Sequence, residues 1–498
     1  MAAPDATVQS GTYITKLGDA LGQAKKIFQM VTGAKQSTTI NSLRLVGSEA
    51  LVSRKTESTV TLGGQTRAGV DIAEDTWVRT GGGWLLKATR VTGSHENNSP
   101  TNETAAEVVG AELRLNARSM DDIEEIGKAI GDARVVGLGE ATHGTLEVQM
   151  AKARIIRYLV EKKGFTVLAV EANWPESLAV DEYVKTGQGE PKEALMGLRM
   201  WPLQTKEMLG IIGFLRVRNQ QMAGPKVTFS GFDMQDSGAA MEKVLSYLRR
   251  YGPAHVGAAE QAYQYVRGLG PRHDGTDPGG QQAAEQARKV VQLLEINGEL
   301  LVQASSESEW RYMRHSAEIV SVATSLRIEG QRQGYRDEMM AQNVEWLTDE
   351  VHRGEKVILW AHNFHVGADS REAPKPMGSW LRSRLGAAYY ALGFAVAGGE
   401  VRAVGSNGLN TYPMPRAAPG TGDGVLALSG MPKFFLDLRG LAKGSELSGW
   451  MVEPHSFYSV GARWNQSDPE SNKSVFSMAL SFDGMVFIRD GHPSIGIE

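Results

Sequence analysis

The sequence predicts an α/β protein with a mostly parallel sheet, flanking helices and a large helical insertion, preceded by a small α+β domain of one helix and an antiparallel meander. Three observations carry this. Four short apolar runs, Val135–Leu138, Thr166–Val170, Lys226–Ser230 and Lys356–Ala361, lack the alternation of a half-exposed strand, as expected of parallel strands buried on both faces. Amphipathic helical patterns separate the runs: Met208, Ile211, Ile212 and Leu215 fall on one side of one segment, and Met340, Val344, Leu347 and Val351 on one side of another. Ahead of all four, Leu45–Val91 alternates in the manner of strands and ends at a polar, turn-rich stretch.

In chain order, Thr15–Met30 reads as an amphipathic helix with Leu17, Leu21, Ile27 and Phe28 on its apolar side. The segments LVSRKTESTVTL and TRAGVDIAEDTWVRT, the Gly81-Gly82-Gly83 turn and WLLKATRV make the meander. Its last hairpin, DTWVRTGGGWLLKATRV, resembles the C-terminal strands of nuclear-transport-factor-2-like domains. GSHENNSPTNET at 94–105 has the composition of an exposed linker, dividing the chain into residues 1–93, a linker over 94–108 and a second domain over 109–498. Within the second domain, 237–334 is a mostly helical insertion, interrupted near Gly270-Pro271 to Gly279-Gly280. After Ala387, the segments YYALGFAVAGGEVRAVG, KFFLDLRGL and FDGMVFIRDG are expected to complete the sheet.

A chain of 498 residues exceeds a single core of about 150 residues. Its 41% hydrophobic and 22% charged content is that of a globular protein and excludes a disordered one. A formal charge of −4 without long single-sign runs speaks against nucleic acid as a partner. The absence of cysteine excludes a thiolate nucleophile, a thiolate metal site and disulfides. No membrane span or signal peptide is legible, so a cytoplasmic location is favoured, with export after removal of a leader left open. Monomer and homodimer both stay open.

Each apolar run ends in polar or ionisable residues: Glu140 and His143 after the first, Glu171 after the second, Asp233 and Gln235 after the third, His362 and His365 after the fourth. In an open α/β sheet the carboxyl ends of the strands face one crevice, so these groups are expected to converge. Taken singly, each has a plainer reading. His143 and Glu140 could mark a helix entry capped by Thr142, one of His362 and His365 could be a structural core histidine, and Asp233 and Gln235 could satisfy a turn. Glu171, directly after an apolar strand, must meet a cation, a histidine or water. The chain contains no G-x-S-x-G elbow, phosphate-binding loop or H-E-x-x-H motif. What is left is acid–base chemistry by carboxylates and imidazoles.

At GEATHG (Gly139–Gly144) the sequence resembles the erythromycin esterase family of macrolide-resistance hydrolases and succinoglycan-biosynthesis proteins. The likeness runs on through GFTVLAVEANWPE, GFDMQ, RDEMMAQNVEWL and WAHNFHVG. It implies hydrolysis of a small-molecule ester or lactone without metal or cofactor, by water activated on a histidine and with no acyl-enzyme. His143 would be the general base, Glu140 and Glu171 the carboxylates around it, and His362 and His365 the pair across the cleft. Lys152, Arg154, Asp233, Gln235 and Arg336 are the expected substrate-binding residues. Lys152 stands where macrolide-hydrolysing relatives carry an arginine, which keeps the charge but loses the bidentate fork. Two alternatives use the same residues: a metal-dependent hydrolase with N and O ligands, and a non-catalytic binder of an apolar ligand.

Overall fold

The computed structural model describes residues 2–10, 13–16, 31–62, 65–81, 83–96, 111–112, 121–221, 224–269, 278–329, 334–372, 374–441 and 446–497. Near the N-terminus, β1 (Ala2–Ser10), β2 (Tyr13–Lys16), β3 (Val31–Val46), β4 (Glu49–Leu62), β5 (Gln65–Thr80) and β6 (Gly83–Glu96) form a sheet of order β2-β1-β6-β5-β4-β3. The meander β3–β6 is antiparallel, whereas β1 lies parallel to β6. This sheet is larger than the sequence predicts. Ile40, Leu43 and Leu45 of β3 are exposed, so that strand carries no burial pattern to read. Thr15 and Lys16 of the expected helix belong to β2 instead, and 17–30 lie outside the described residues. Of the expected linker, 94–96 end β6 and 97–108 lie outside the described residues. Arg90 of β6 forms an ion pair with Asp468 at 3.0 Å.

The second sheet contains β7 (Ala111–Glu112), β8 (Val135–Leu138), β9 (Phe165–Asn173), β10 (Thr228–Asp233), β11 (Lys356–Trp360), β12 (Tyr389–Val396), β15 (Lys433–Asp437) and β18 (Gly484–Ile488) in the order β10-β9-β11-β8-β12-β18-β15-β7. The six strands from β10 to β18 are parallel. β15 runs antiparallel to both its neighbours. One expected strand goes elsewhere: β13 (Gly399–Gly405) leaves the sheet and pairs with β14 (Gly408–Met414) in a separate hairpin. A second hairpin joins β16 (Pro454–Tyr458) to β17 (Lys473–Ser477).

Strand side chains alternate between two cores, which is why the four runs are apolar throughout. Val135, Val167, Ala169 and Leu359 join the cluster containing the insertion helices, where Leu248, Tyr263, Leu294 and Val320 are buried. Val136, Leu168, Val170 and Ile358 face the opposite cluster, with Val148, Ile155, Met208 and Leu215 from the helices Leu146–Lys162 and Lys206–Gln221. Each such aliphatic side chain contributes about 1.5–3 kcal/mol on burial. The insertion between β10 and β11 comprises the helices Gly238–Tyr251, Val256–Arg267, Pro278–Ile296, Gly298–Ala304 and Glu307–Glu329. It covers one face of the sheet. Among the described residues, no helix is long and apolar enough to cross a membrane.

Candidate functional site

Past β8 the chain makes the sharp loop that carries GEATHG, and its two glycines are there because other chain segments come too close for a side chain. A Cβ at Gly139 would collide with the Asn363 amide oxygen, and one at Gly144 with the Arg402 carbonyl. The loop is held from outside. His143 N–H donates to the Val460 carbonyl at 3.1 Å, Val460 N–H to the Ala141 carbonyl at 2.7 Å, and Ser494 N–H to the Gly144 carbonyl at 2.8 Å. The following helix starts at Leu146 with Thr145 as its cap position, so Thr142 is not the N-cap and His143 lies ahead of the helix. Glu147, in the first turn, accepts from His492 Nδ1 at 2.6 Å.

Glu140 is gripped from two sides. One carboxylate oxygen lies 2.5 Å from His143 Nδ1, and the other accepts from Lys152 Nζ at 2.7 Å. Lys152 has no exposed surface and lies over the Trp360 ring at 3.9 Å. Burial lowers it to about 8, with the Glu140 carboxylate resisting the fall. Burial alone would raise Glu140, but the Lys152 ammonium and His143 hold it below the usual carboxylate range. A carboxylate at Nδ1 fixes the proton there and leaves Nε2 of His143 as the basic nitrogen. Nε2 has no hydrogen-bond partner among the described residues, and the side chain stays 12% exposed.

Glu171 is the centre of a second network. Its carboxylate accepts from Arg336 Nη2 at 2.8 Å and from the His362 backbone N–H at 3.0 Å, and lies 3.3 Å from His365 Nε2. Arg336 also donates through Nε and Nη2 to Asp233, at 3.2 and 2.7 Å. His365 Nδ1 meets Asp337 at 2.8 Å. Burial works against charge on His365, but the Asp337 and Glu171 carboxylates prevail and raise it to about 10, so it is an imidazolium at neutral pH. Burial would raise Glu171 as well, yet His365 and Arg336 hold it well below the carboxylate range. Arg336 Nη1 and His365 Nε2 approach to 3.2 Å. We assign both as donors that share Glu171, not as a bonded pair.

His362 lies between the two networks, its ring 5.2 Å from that of His143 and edge-on to it. Burial, with His143 and His365 adding to the effect, lowers it to about 3, so it is neutral. Its Nδ1 accepts the Phe364 N–H at 3.3 Å, which places its proton on Nε2. That enclosed Nε2–H has no partner among the described residues. A free imidazole base and a free imidazole donor therefore stand side by side.

Glu140, His143, Glu171, His362 and His365 thus lie in one contiguous cluster. The residues expected to touch substrate do not all reach it. Arg154 is a correction: two positions on from Lys152 its side chain leaves the opposite side of the helix, and it pairs with Asp122 at 2.6 Å. Lys152 and Asp233 are fully enclosed and occupied by Glu140 and Arg336, so both support the site from beneath. Arg336 is likewise taken up by carboxylates. Gln235 binds Asp233 through Nε2 at 2.6 Å. Sequence reasoning missed Asp337 and Trp201. Asp337 sits in a helix, Tyr335–Trp346, and not after a strand, so only its place beside Arg336 signalled it. Trp201 lies in a short turn and sets its ring edge-on to His143 at 6.4 Å. Among the described residues no three His, Asp or Glu side chains are arranged to hold a metal ion.

Comparison with known proteins agrees with this architecture. A putative hydrolase, YbfO, of Bacillus subtilis (strain 168) is 22% identical over 417 residues, covering 78% of this chain and 90% of the relative. Erythromycin esterase type II of Escherichia coli is 25% identical over 312 residues, covering 57% of this chain and 74% of that protein. A crystal structure of a Bacillus cereus protein superposes with a TM-score of 0.68 at 25% identity, over 80% of this chain and all of the other. The sequence profile described as erythromycin esterase matches residues 160–491. That span contains Glu171, Asp233, Arg336, Asp337, His362 and His365 and begins after His143. With more than half of its length matched by that profile, the chain belongs to the erythromycin esterase family and is a hydrolase by kinship.

Proposed function

We propose that the protein hydrolyses a carboxylic ester or lactone, with the ring ester of a macrolide as one candidate, by direct attack of water activated on His143. The observation that carries this reading is the Glu140–His143 pair, 2.5 Å apart, with the opposite nitrogen of the imidazole unengaged. Nε2 of His143 takes a proton from water as the water oxygen bonds to the carbonyl carbon, and the carbonyl electrons move onto oxygen. His362 Nε2–H is the candidate donor to that oxyanion. The tetrahedral species then collapses, the carbon–oxygen bond to the alcohol breaks, and the His143 imidazolium returns its proton to the leaving oxygen. Glu140 holds the tautomer and stabilises the imidazolium. Arg336 and His365 keep Glu171 ionised, and Glu171 in turn positions the backbone of His362.

The test is incubation with erythromycin and a panel of esters and lactones, following mass by chromatography, with His143→Ala and EDTA-treated protein as controls. Gain of one water that is abolished in His143→Ala and indifferent to EDTA is the expected result. Activity retained by His143→Ala would sink the mechanism, and activity lost to EDTA and restored by a divalent cation would replace it with a metal-dependent one.

A further inference from the structure

Beside His143 lie two enclosed donors that the proposed reaction does not use. Arg402, on β13, sets its guanidinium over the Trp201 ring at 5.5 Å, and the same ring stands 6.4 Å from His143. Trp201 thus neighbours both His143 and Arg402. Among the described residues, Arg402 Nη1 and Trp201 Nε1 are both enclosed and without a hydrogen-bond partner. Arg402 also forms no ion pair among the described residues. Glu207 is the acidic group whose charge reaches it, and burial still leaves it below the usual guanidinium range. The contrast with the other cations of the site is sharp: Lys152 is paired with Glu140, and Arg336 with Asp233 and Glu171. The backbone of Arg402 abuts Gly144, and Gly496 passes so close that a Cβ there would meet the guanidinium at 2.7 Å. The side chain is thus held in place without being given an acceptor. A half-buried guanidinium whose Nη1 is enclosed without an acceptor is costly, and a planar two-oxygen anion is the ligand that best satisfies its fork.

The geometry points to a binding subsite formed by Arg402 and Trp201 that anchors a carboxylate of the substrate at a distance from the ester carbonyl attacked at His143. This rests on the assignment of His143 as the base. The Trp201 ring, 6.4 Å from that of His143 and 5.5 Å from the Arg402 guanidinium, would then lie along the part of the substrate that joins the carboxylate to the carbonyl. The preferred substrate class is then an ester or lactone with a remote acid group.

The experiment compares 4-nitrophenyl hydrogen adipate with its neutral methyl ester, reading the ratio of their kcat/KM values in the wild type, Arg402→Gln, Arg402→Lys and Trp201→Phe. The wild type is expected to favour the acid by about tenfold or more, as one charge-assisted contact provides. Arg402→Gln should bring the ratio close to one, chiefly through KM. Arg402→Lys should keep part of the preference, and Trp201→Phe should reduce it less than Arg402→Gln. A wild type without preference, or a ratio unchanged in Arg402→Gln with an unaltered melting temperature, overturns the subsite. If Arg402→Gln does not fold, Arg402→Lys decides, since loss of the fork must lower the ratio. If neither ester is turned over by any protein, the wider panel of esters and lactones decides the esterase reading, and calorimetry with adipate judges the subsite. Binding weakened about tenfold in the Arg402 variant supports it, and equal binding in both proteins overturns it.

Discussion

Glu140 follows β8 and Glu171 lies within β9, on either side of the strand that delivers His362 and His365, and each is held by one histidine and one cation. The two arrangements differ in what is left over. At Glu140 the cation is wholly enclosed and the histidine keeps one nitrogen free and 12% of its surface open. At Glu171 the histidine is engaged at both nitrogens, by Asp337 and by Glu171 itself, and the cation spans two carboxylates. The same three residue types thus leave an imidazole nitrogen free in one place and build a closed charge network in the other. What separates them is a second carboxylate: at His365 Asp337 takes Nδ1 while Glu171 takes Nε2, the nitrogen that His143 leaves open.

The sharpest way to break this contrast is to remove each histidine in turn. His143→Asn should lower kcat by about 10²–10⁴, the usual span for a general base, while leaving stability within about 1 kcal/mol. His365→Asn should behave oppositely, showing its main effect in urea denaturation. If both variants lose activity with intact stability, the division of labour is wrong. Next in size, Arg336→Met strands Asp233 and Glu171 without their cation and should cost about 3–5 kcal/mol, the range for breaking a buried ion pair. A loss near zero would mean that water reaches the network. Lys152→Met tests the other side. Without the ammonium Glu140 loses a charge that holds it below the carboxylate range, so the acid limb of kcat/KM should move up, and a downward or absent shift would contradict the proposed coupling.

A separate test lies in the pH dependence of stability. His365, raised from 6.5 to about 10, contributes stability that is fully present below pH 6.5 and is lost as pH rises towards 10. His362, lowered from 6.5 to about 3, contributes stability present above pH 6.5 and lost as pH falls towards 3. Lys152, lowered from 10.5 to about 8, makes stability recover between pH 8 and 10.5. Each slope is at most about 1.4 kcal/mol per pH unit. The stability gap between wild type and His365→Asn should therefore narrow as pH rises from 6.5 to 10, and a constant gap would show that His365 is not held as a cation.

How much of this was legible in the sequence varies by physical cause. β8, β9, β10 and β11 announce themselves because both their faces are buried, so composition alone marks them, and the ionisable residues that follow are brought together by the parallel sheet. The roles of Lys152 and Arg336 were not legible. Both sit in helices, and only tertiary pairing decides whether a helical cation faces a cleft or a carboxylate beneath it. Asp337 was hidden in the same way. The true extent of the first sheet escaped because β3 exposes its apolar side chains, and β13 looked like a sheet strand because Val401 and Ala403 are buried against a different surface.

The loop carrying Glu140 and His143 is closed by Arg402, Val460, His492 and Ser494, and the Glu147–His492 contact spans 345 positions. Such contacts pay loop-closure entropy late in folding. The base is therefore expected to reach its working geometry only after the sheet and the distant tail have docked, so a partly folded chain, however much secondary structure it holds, is catalytically silent. Recovery of turnover during refolding then reports the final closing event, and should lag behind recovery of the helical signal.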